Sequence, residues 1–268
     1  MIKNIKSKQV KFGMSIILFF TIIAIFAPLI APYNPSIMGD LYQPPSLMHP
    51  LGTNDVGYDI LSELIYGTRV SLFIGFFTAF IVTIIGTLLA LISGYYKGIA
   101  DKIITAITSI AMAIPGLPLT VLLVAFLEPS KWNIIIAISI TAWTGTARIL
   151  RAKVLQISEQ PYIKIEKTLG VKNRIIILKH ILPNIKDIVL IRAAMAISSA
   201  MLTEAGLSFL GLGAFGEKSW GSILRYAIYR NAILKQQYWW YLPPIICITL
   251  AVLGFMLVGY YGGEKNVT

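Results

Sequence analysis

The side chains able to transfer protons, hold a metal or act as nucleophiles are few in this chain, and they are scattered. Cys247 is the one cysteine and lies in an apolar stretch, so it forms no disulfide within the chain and belongs to no metal-ligand spacing. His49 and His180 are far apart in sequence. His49, Asp55 and Asp59 could be imagined as a nickel site, but nothing in their spacing fixes them on one face, and no metal site is expected. The phosphate-cradling run G-x-x-x-x-G-K-[ST] does not occur, so any use of ATP must belong to a partner. One acid, Glu204, stands near the outer end of a long apolar run. Acids at membrane depth are costly and default to a functional reading. Glu204 is therefore either a pore or gate residue, or a hydrogen-bonded acid that steadies a gate without touching solute. A membrane-embedded enzyme would need clustered His, Asp, Glu or Cys at that depth. Glu204 stands alone, so no catalytic residue is assigned.

The elements that must position these residues are set by lipid. Of 268 residues, 56% are hydrophobic and 13% charged, and the mean hydropathy is +0.75. An average soluble domain has about 25% charged residues. Apolar runs occur at Phe12–Ala31, Val70–Ser93, Ile103–Leu127, Asn133–Ala147, Asp187–Leu210 and Tyr241–Tyr261. The fourth run is short, and its helix can continue through Arg148 to Ile157. Backbone groups in lipid must be satisfied within the segment, so all six are expected to be helices. The lysines before the first run also fit a signal peptide, but the run is long for one, and an uncleaved span is expected.

The formal net charge is +11, and the basic residues mostly flank the apolar runs. Nucleic-acid binding would need them gathered on one solvated face, and it is not expected. With the N-terminus in the cytoplasm, sixteen Lys and Arg residues fall inside and six outside. Both termini are therefore expected inside, with Arg192 close enough to the inner end of its span to snorkel. Arg148 and Arg151 are read as membrane-surface anchors. Asp55, Asp59 and Glu63 are read as part of a solvated outer loop, with hydrogen bonds to a binding protein as the other reading. Trp239 and Trp240 suit an interfacial belt. Pro115, Gly116 and Pro118 interrupt the third span, as a bend beside a pore or for packing.

Between the fourth and fifth spans lies the most structured connection. Ser158 is a plausible N-cap, Pro161 suits a first turn, and Gly170 is a natural stop, which predicts a short helix. A second helix is expected over Lys172–Leu182, with Pro183 marking the start of the fifth span. The pair could lie on the membrane surface, or dock a cytoplasmic partner and pass its motion to the spans.

These residues resemble the permease subunits of binding-protein-dependent ABC importers, in the dipeptide, oligopeptide and nickel group. The group carries an inner signature of the form E-A-A-x-x-x-G, nine residues, then I-x-L-P. Gly170 and Leu182-Pro183 have that spacing, and Pro161-Tyr162 matches its lead-in. Lys164-Ile165-Glu166 occupies the E-A-A position, and His180 stands where the signature has isoleucine. His49 to Ser62 is similar to H-P-x-G-T-D-x-x-G-R-D-x-L-S, with Tyr58 replacing arginine. Gly67 to Leu72, Gly94 to Gly98 with Asp101, and Ala113-Ile114-Pro115 resemble further pieces in order. Glu204-Ala205, Leu207 to Gly213 and Ser219-Trp220-Gly221 resemble the most recognisable outer stretch.

The resemblance implies an all-α membrane protein of six transmembrane helices, with an ATPase-coupling loop between helices 4 and 5. That loop would comprise Tyr162, Lys164, Ile165, Glu166, Gly170, His180, Leu182 and Pro183. Pore or gate candidates are Pro115, Pro118, Glu204 and Ser208. Residues 1–69 would form the tail, first span and outer segment, 70–262 the five-span permease core, and 263–268 a cytoplasmic tail. The implied partners are a homologous second permease, two cytoplasmic ATPase subunits carrying ATP and Mg, an extracytoplasmic substrate-binding lipoprotein, and membrane lipid. The chain itself would bind no cofactor. Its expected work is ATP-driven import of di- or oligopeptides through the cell membrane by alternating access. Nickel, a metal chelate or an oligosaccharide is the alternative cargo. A self-contained secondary transporter is the rival of another class.

Overall fold

A computed structural model describes residues 2–262, with the backbone alone for residues 2–7; the tail 263–268, with Lys265, lies outside the described residues. The elements in chain order are α1 (Ile2–Ile30), α2 (Ile60–Tyr96), α3 (Gly98–Ala113), α4 (Gly116–Phe126), α5 (Lys131–Ser158), α6 (Pro161–Thr168), α7 (Asn173–Phe209), α8 (Trp220–Tyr229) and α9 (Tyr238–Gly262). Among the described residues the only β-type pairing is an isolated bridge between Thr53 and Asp59. Helices α1, α2, α5, α7 and α9 are each long and apolar enough to cross a membrane. Helices α3 and α4 pass that test together, but are bent by 84° at their break.

The packing shows that the bent pair is a crossing. Near the end of α2, a Cβ on Gly94 would sit 2.8 Å from the Val154 side chain of α5, and Ser158 Oγ donates to Gly94 O. At the other end, Phe73 and Phe77 of α2 pack edge-on against Trp132 at the start of α5. Helices α2 and α5 therefore run parallel. Parallel neighbours need a return path between them, and α3–α4 supplies it. The break falls at Ile114-Pro115: Pro115 restricts its predecessor to extended backbone, and Ile114 has φ −85° and ψ 129°. The expected kink in one span is thus a sharp corner between two helices.

Helix α7 runs antiparallel to α2, with Ile185 packed near Leu91 and Glu204 opposite Ser71. Helix α9 returns beside α7, where Ser198 Oγ donates to Val252 O. It meets α1 at a close approach in which a Cβ on Gly13 would lie 2.7 Å from Gly254 O. The six crossings leave the start of α1 and the end of α9 at one end of the bundle, together with α6.

Several boundaries differ from the apolar runs, each for a local reason. Helix α2 begins at Ile60, ten residues before its apolar run, because Asp59 caps it through Ser62 N at 2.8 Å. A division at 69/70 therefore falls within one helix. Ser158 caps nothing: its hydroxyl turns back to Val154 O at 2.7 Å, and Gln160 holds the N-cap of α6. Residues Asn173 to Phe209 form one continuous helix rather than two separated at Pro183. Pro183 has no N–H to give and its ring crowds the preceding turn, and residues Ile176–Ile181 just before it are π-helical.

Replacing Gly94 by leucine should disrupt the α2–α5 contact at a cost of about 1–3 kcal/mol. Gly116→Ala, where a Cβ meets nothing within 4 Å, should change stability by about 0.5 kcal/mol or less. Thermal unfolding of the detergent-purified protein compares the two, and equal midpoints would contradict the parallel packing.

Candidate functional site

At the end of the bundle that carries the start of α1 and the end of α9, α6 is a short helix held at both ends. Pro161 takes the first turn, where its missing N–H costs nothing. Gly170 has φ +78°; its N–H bonds Lys167 O and the Val171 N–H bonds Glu166 O, the two bonds of a Schellman stop. Ile163 is 0% exposed and plugs a cluster made by Leu91, Tyr95, Val154, Ile157, Ile176, Ile181 and Ile185. That cluster joins α2, α5, α6 and α7. Tyr162, Ile165 and Leu169 are spaced i, i+3, i+7 on the helix and are exposed, an apolar stripe facing away from the bundle.

The polar residues of this loop pair with one another. His180 Nε2 lies 3.2 Å from Glu166 Oε1, so two of the positions that depart from the signature meet. Lys164 Nζ reaches Glu159 at 2.9 Å, and Lys97 pairs with the same carboxylate. Tyr95 Oη donates to Asn173 Oδ1 at 2.7 Å, and Lys167 Nζ sits 4.2 Å from the Tyr95 ring centre. Partial burial of Lys167, and then the nearby Lys97, push its ammonium below the usual lysine range. Leu182 and Pro183 lie in the continuous α7 just past the π-helical stretch, with Leu182 packed against the Ile163 cluster.

The gate candidates separate into two places. Pro115 and Pro118 are exposed at the α3–α4 corner. Glu204 and Ser208 are buried near the other end of α7, Glu204 at 1% exposure. Ser208 Oγ donates to Glu204 Oε1 at 2.7 Å and Ser71 Oγ donates to Oε2 at 3.3 Å. The Trp220 N–H donates to Ser71 Oγ, and its fully buried indole Nε1 donates to Leu64 O at 3.1 Å. A Cβ on Gly221 would lie 2.5 Å from Ala205 O, so α8 packs backbone to backbone on α7. The carboxylate thus pins α2, α7 and α8 together.

The outer segment is ordered, not a solvated loop. Asp59 receives Ser62 N and Ser62 Oγ and meets His49 Nδ1 at 2.9 Å. Glu63 is buried and accepts from Asn54 and from Lys218, whose Nζ also lies over the Tyr58 ring at 3.5 Å. Asp55 pairs with Arg230 at 2.7 Å, away from His49, which removes it from any shared metal site. Among the described residues no group of three or more His, Cys, Asp or Glu is gathered for a metal. Trp240 is 1% exposed inside a cluster with Ile60, Leu64 and Trp220, so it is a core residue rather than part of an interfacial belt. Arg151 is no surface anchor either: Nε and Nη2 reach the two oxygens of Asp101 at 2.6 and 2.7 Å, clamping α5 to α3. Two residues that sequence reasoning passed over, Lys218 and Ser71, complete these networks; their partners are more than 130 positions away, and no local pattern marks them.

Glu204→Ala would leave the Ser71 and Ser208 hydroxyls without their acceptor in a buried site. The expected cost is about 1–3 kcal/mol in the unfolding midpoint of the purified protein, with solute preference unchanged. Altered preference at an undisturbed midpoint would instead put Glu204 on the solute path.

Comparison with known proteins agrees with this architecture. Residues 86–262 match the family described as binding-protein-dependent transport system inner membrane component, and residues 5–45 match the N-terminal TM domain of oligopeptide transport permease C. The chain is 39% identical to the dipeptide transport system permease protein DppC of Alkalihalophilus pseudofirmus, over 95% of this chain and 84% of that one. It is 36% identical to the oligopeptide transport system permease protein OppC of Bacillus subtilis, over 97% and 85%. It is 34% identical to the glutathione transport system permease protein GsiD of Pectobacterium atrosepticum, over 91% and 81%. A self-contained secondary transporter does not fit relatives of this kind. The chain belongs to the family of binding-protein-dependent transport system inner membrane components and is a multi-pass permease subunit of an ABC importer.

Proposed function

We propose that this chain forms half of the translocation path of an importer for di- or oligopeptides. The names of its relatives support that cargo: dipeptide, oligopeptide and glutathione permeases all carry peptides by name. The other half of the path is a homologous permease. An extracytoplasmic lipoprotein delivers the solute to the end that carries Glu63, Lys218 and Trp220. Two ATPase subunits, which hold ATP and Mg, work at the other end, and this chain binds no cofactor. Both termini and α6 then face the cytoplasm, in line with the excess of basic residues on that side.

The observation that carries this reading is α6 itself. Its outward stripe of Tyr162, Ile165 and Leu169 is an apolar surface on a cytoplasmic helix, the kind of face that a partner protein covers. Its inward residue, Ile163, is wedged among α2, α5 and α7. A push on the stripe reaches three spans through one side chain, reinforced by the His180–Glu166 and Tyr95–Asn173 contacts. ATP-driven closure of the ATPases biases the bundle between inward- and outward-open states through this lever.

Gly170→Pro replaces a residue at φ +78° with one confined near −65° and destroys the stop. In the reconstituted importer this change, or deletion of residues 161–170, should leave ATP hydrolysis running while peptide uptake falls at least about tenfold, a shift of roughly 1.4 kcal/mol or more in coupling. Uptake at the wild-type rate would remove α6 from the coupling path. The sidedness is checked separately, in a Cys247→Ser background. A membrane-impermeant maleimide added outside intact spheroplasts should label Lys235→Cys and spare Lys164→Cys; the reverse pattern would invert the topology.

A further inference from the structure

Arg192 sits in α7 ten residues past Leu182, about 15 Å along the helix. From sequence it was expected to snorkel to the inner surface. Instead it is half-buried beside α5, where a Cβ on Gly145 would lie 3.6 Å from Nη2. Its Nε is buried with no hydrogen-bond partner, and Nη1 has only the Met195 sulfur at 3.9 Å. Among the described residues no carboxylate lies within ion-pair distance of it. Thr78 of α2 and Thr146 of α5 are 1% and 0% exposed, and neither hydroxyl has a partner within the chain.

These three side chains line one cavity of about 230 Å³ between α2, α5 and α7. Its other walls are small, among them Ala142 and Ala196, and exposed Ser199 stands at its margin. The outer nitrogens of the Arg192 guanidinium, lacking an oxygen acceptor, thus meet an open space within the membrane-spanning bundle, while the two threonine hydroxyls are sealed in its wall. A guanidinium there suits a carboxylate, whose two oxygens pair with its planar fork. It has the wrong sign for a metal cation. A charged residue at this depth marks a solute path by default, because it is expensive to keep there for structure alone.

Resting on the peptide-import reading, we propose that Arg192 forms a subsite for the free C-terminal carboxylate of the transported peptide. The cavity is large enough for that carboxylate and the small atoms next to it, and too small for the rest of the peptide, which lies in the space between the two permeases. The carboxylate is the one negative group that every unmodified peptide carries, so a single cation here serves cargo of any sequence.

The test uses the complete importer in proteoliposomes with its binding protein at saturation. Initial uptake rates of trialanine and of trialanine amide are compared. Arg192→Gln should lower the acid-to-amide rate ratio at least tenfold relative to wild type. Arg192→Lys, which keeps the charge, should keep most of it. Parallel loss of both rates in Arg192→Gln, with the ratio within twofold of wild type, would overturn the subsite and leave Arg192 a structural residue. Loss of the second permease from purified Arg192→Gln importer would also overturn it, by assigning the guanidinium to a carboxylate of that subunit. If the wild-type importer moves neither peptide, the peptide reading itself fails, and that is seen before any variant is made.

Discussion

Helices α2 and α5 lie parallel and close, and most of the architecture follows from that contact. Small residues make it possible: Gly86 faces Thr146 and Gly94 faces Val154, at distances where a Cβ would have to be accommodated below 3 Å. Two parallel neighbours cannot be joined by a short turn, so the chain has to recross the membrane between them. It does so as α3 and α4, bent at Pro115. The close contact also places the end of α5 beside the end of α2, and so brings Glu159 to Lys97 and the Ile163 socket to Tyr95. The inner helix α6 is thereby positioned by the same packing that forces the broken span.

The two ends of the bundle are held by different physics. At the inner end one buried isoleucine and a set of partly exposed ion pairs hold α6. Exposed pairs contribute little each, so the apolar plug carries most of the hold and the polar pairs set orientation. At the outer end the carboxylates are buried and saturated: Glu204 by serines, Glu63 by Asn54 and Lys218, and Asp59 by Ser62 and His49. Removing one partner there strands a desolvated group, so this end is the stiffer of the two.

The sequence displayed whatever is local. Apolar run length marked the spans, and Pro161 and Gly170 bracketed α6 because proline and glycine act on their own backbone. The reading went astray where a residue's role depends on a distant partner. Ser158 had a capping residue's composition, but its hydroxyl turns back to Val154 O, with Gly94 O of α2 as the more distant acceptor. Asp55 and Glu63 had the look of a wet loop, and their cations, Arg230 and Lys218, lie more than 150 positions away. Trp240 suited a lipid interface until residues of the outer segment, Tyr42 among them, packed over it. Arg192 stood near enough to the end of its span to snorkel, but Ala142 and Gly145 on α5 leave room for it to turn inward.

The outer clamp also bears on how the protein is made. Glu63 and Lys218 are separated by 155 positions and three further membrane crossings, counting the bent pair as one. During synthesis the carboxylate crosses the bilayer long before its ammonium partner has left the ribosome. The same holds for Asp55 with Arg230 and for Ser71 with Trp220. None of these pairs can form until α7 is in place, so the outer face closes as a late, single step, and the early spans must persist on helix packing alone until then. A chain ending between α7 and residue 218 would therefore hold its spans together without this latch, with Glu63 lacking its ammonium partner.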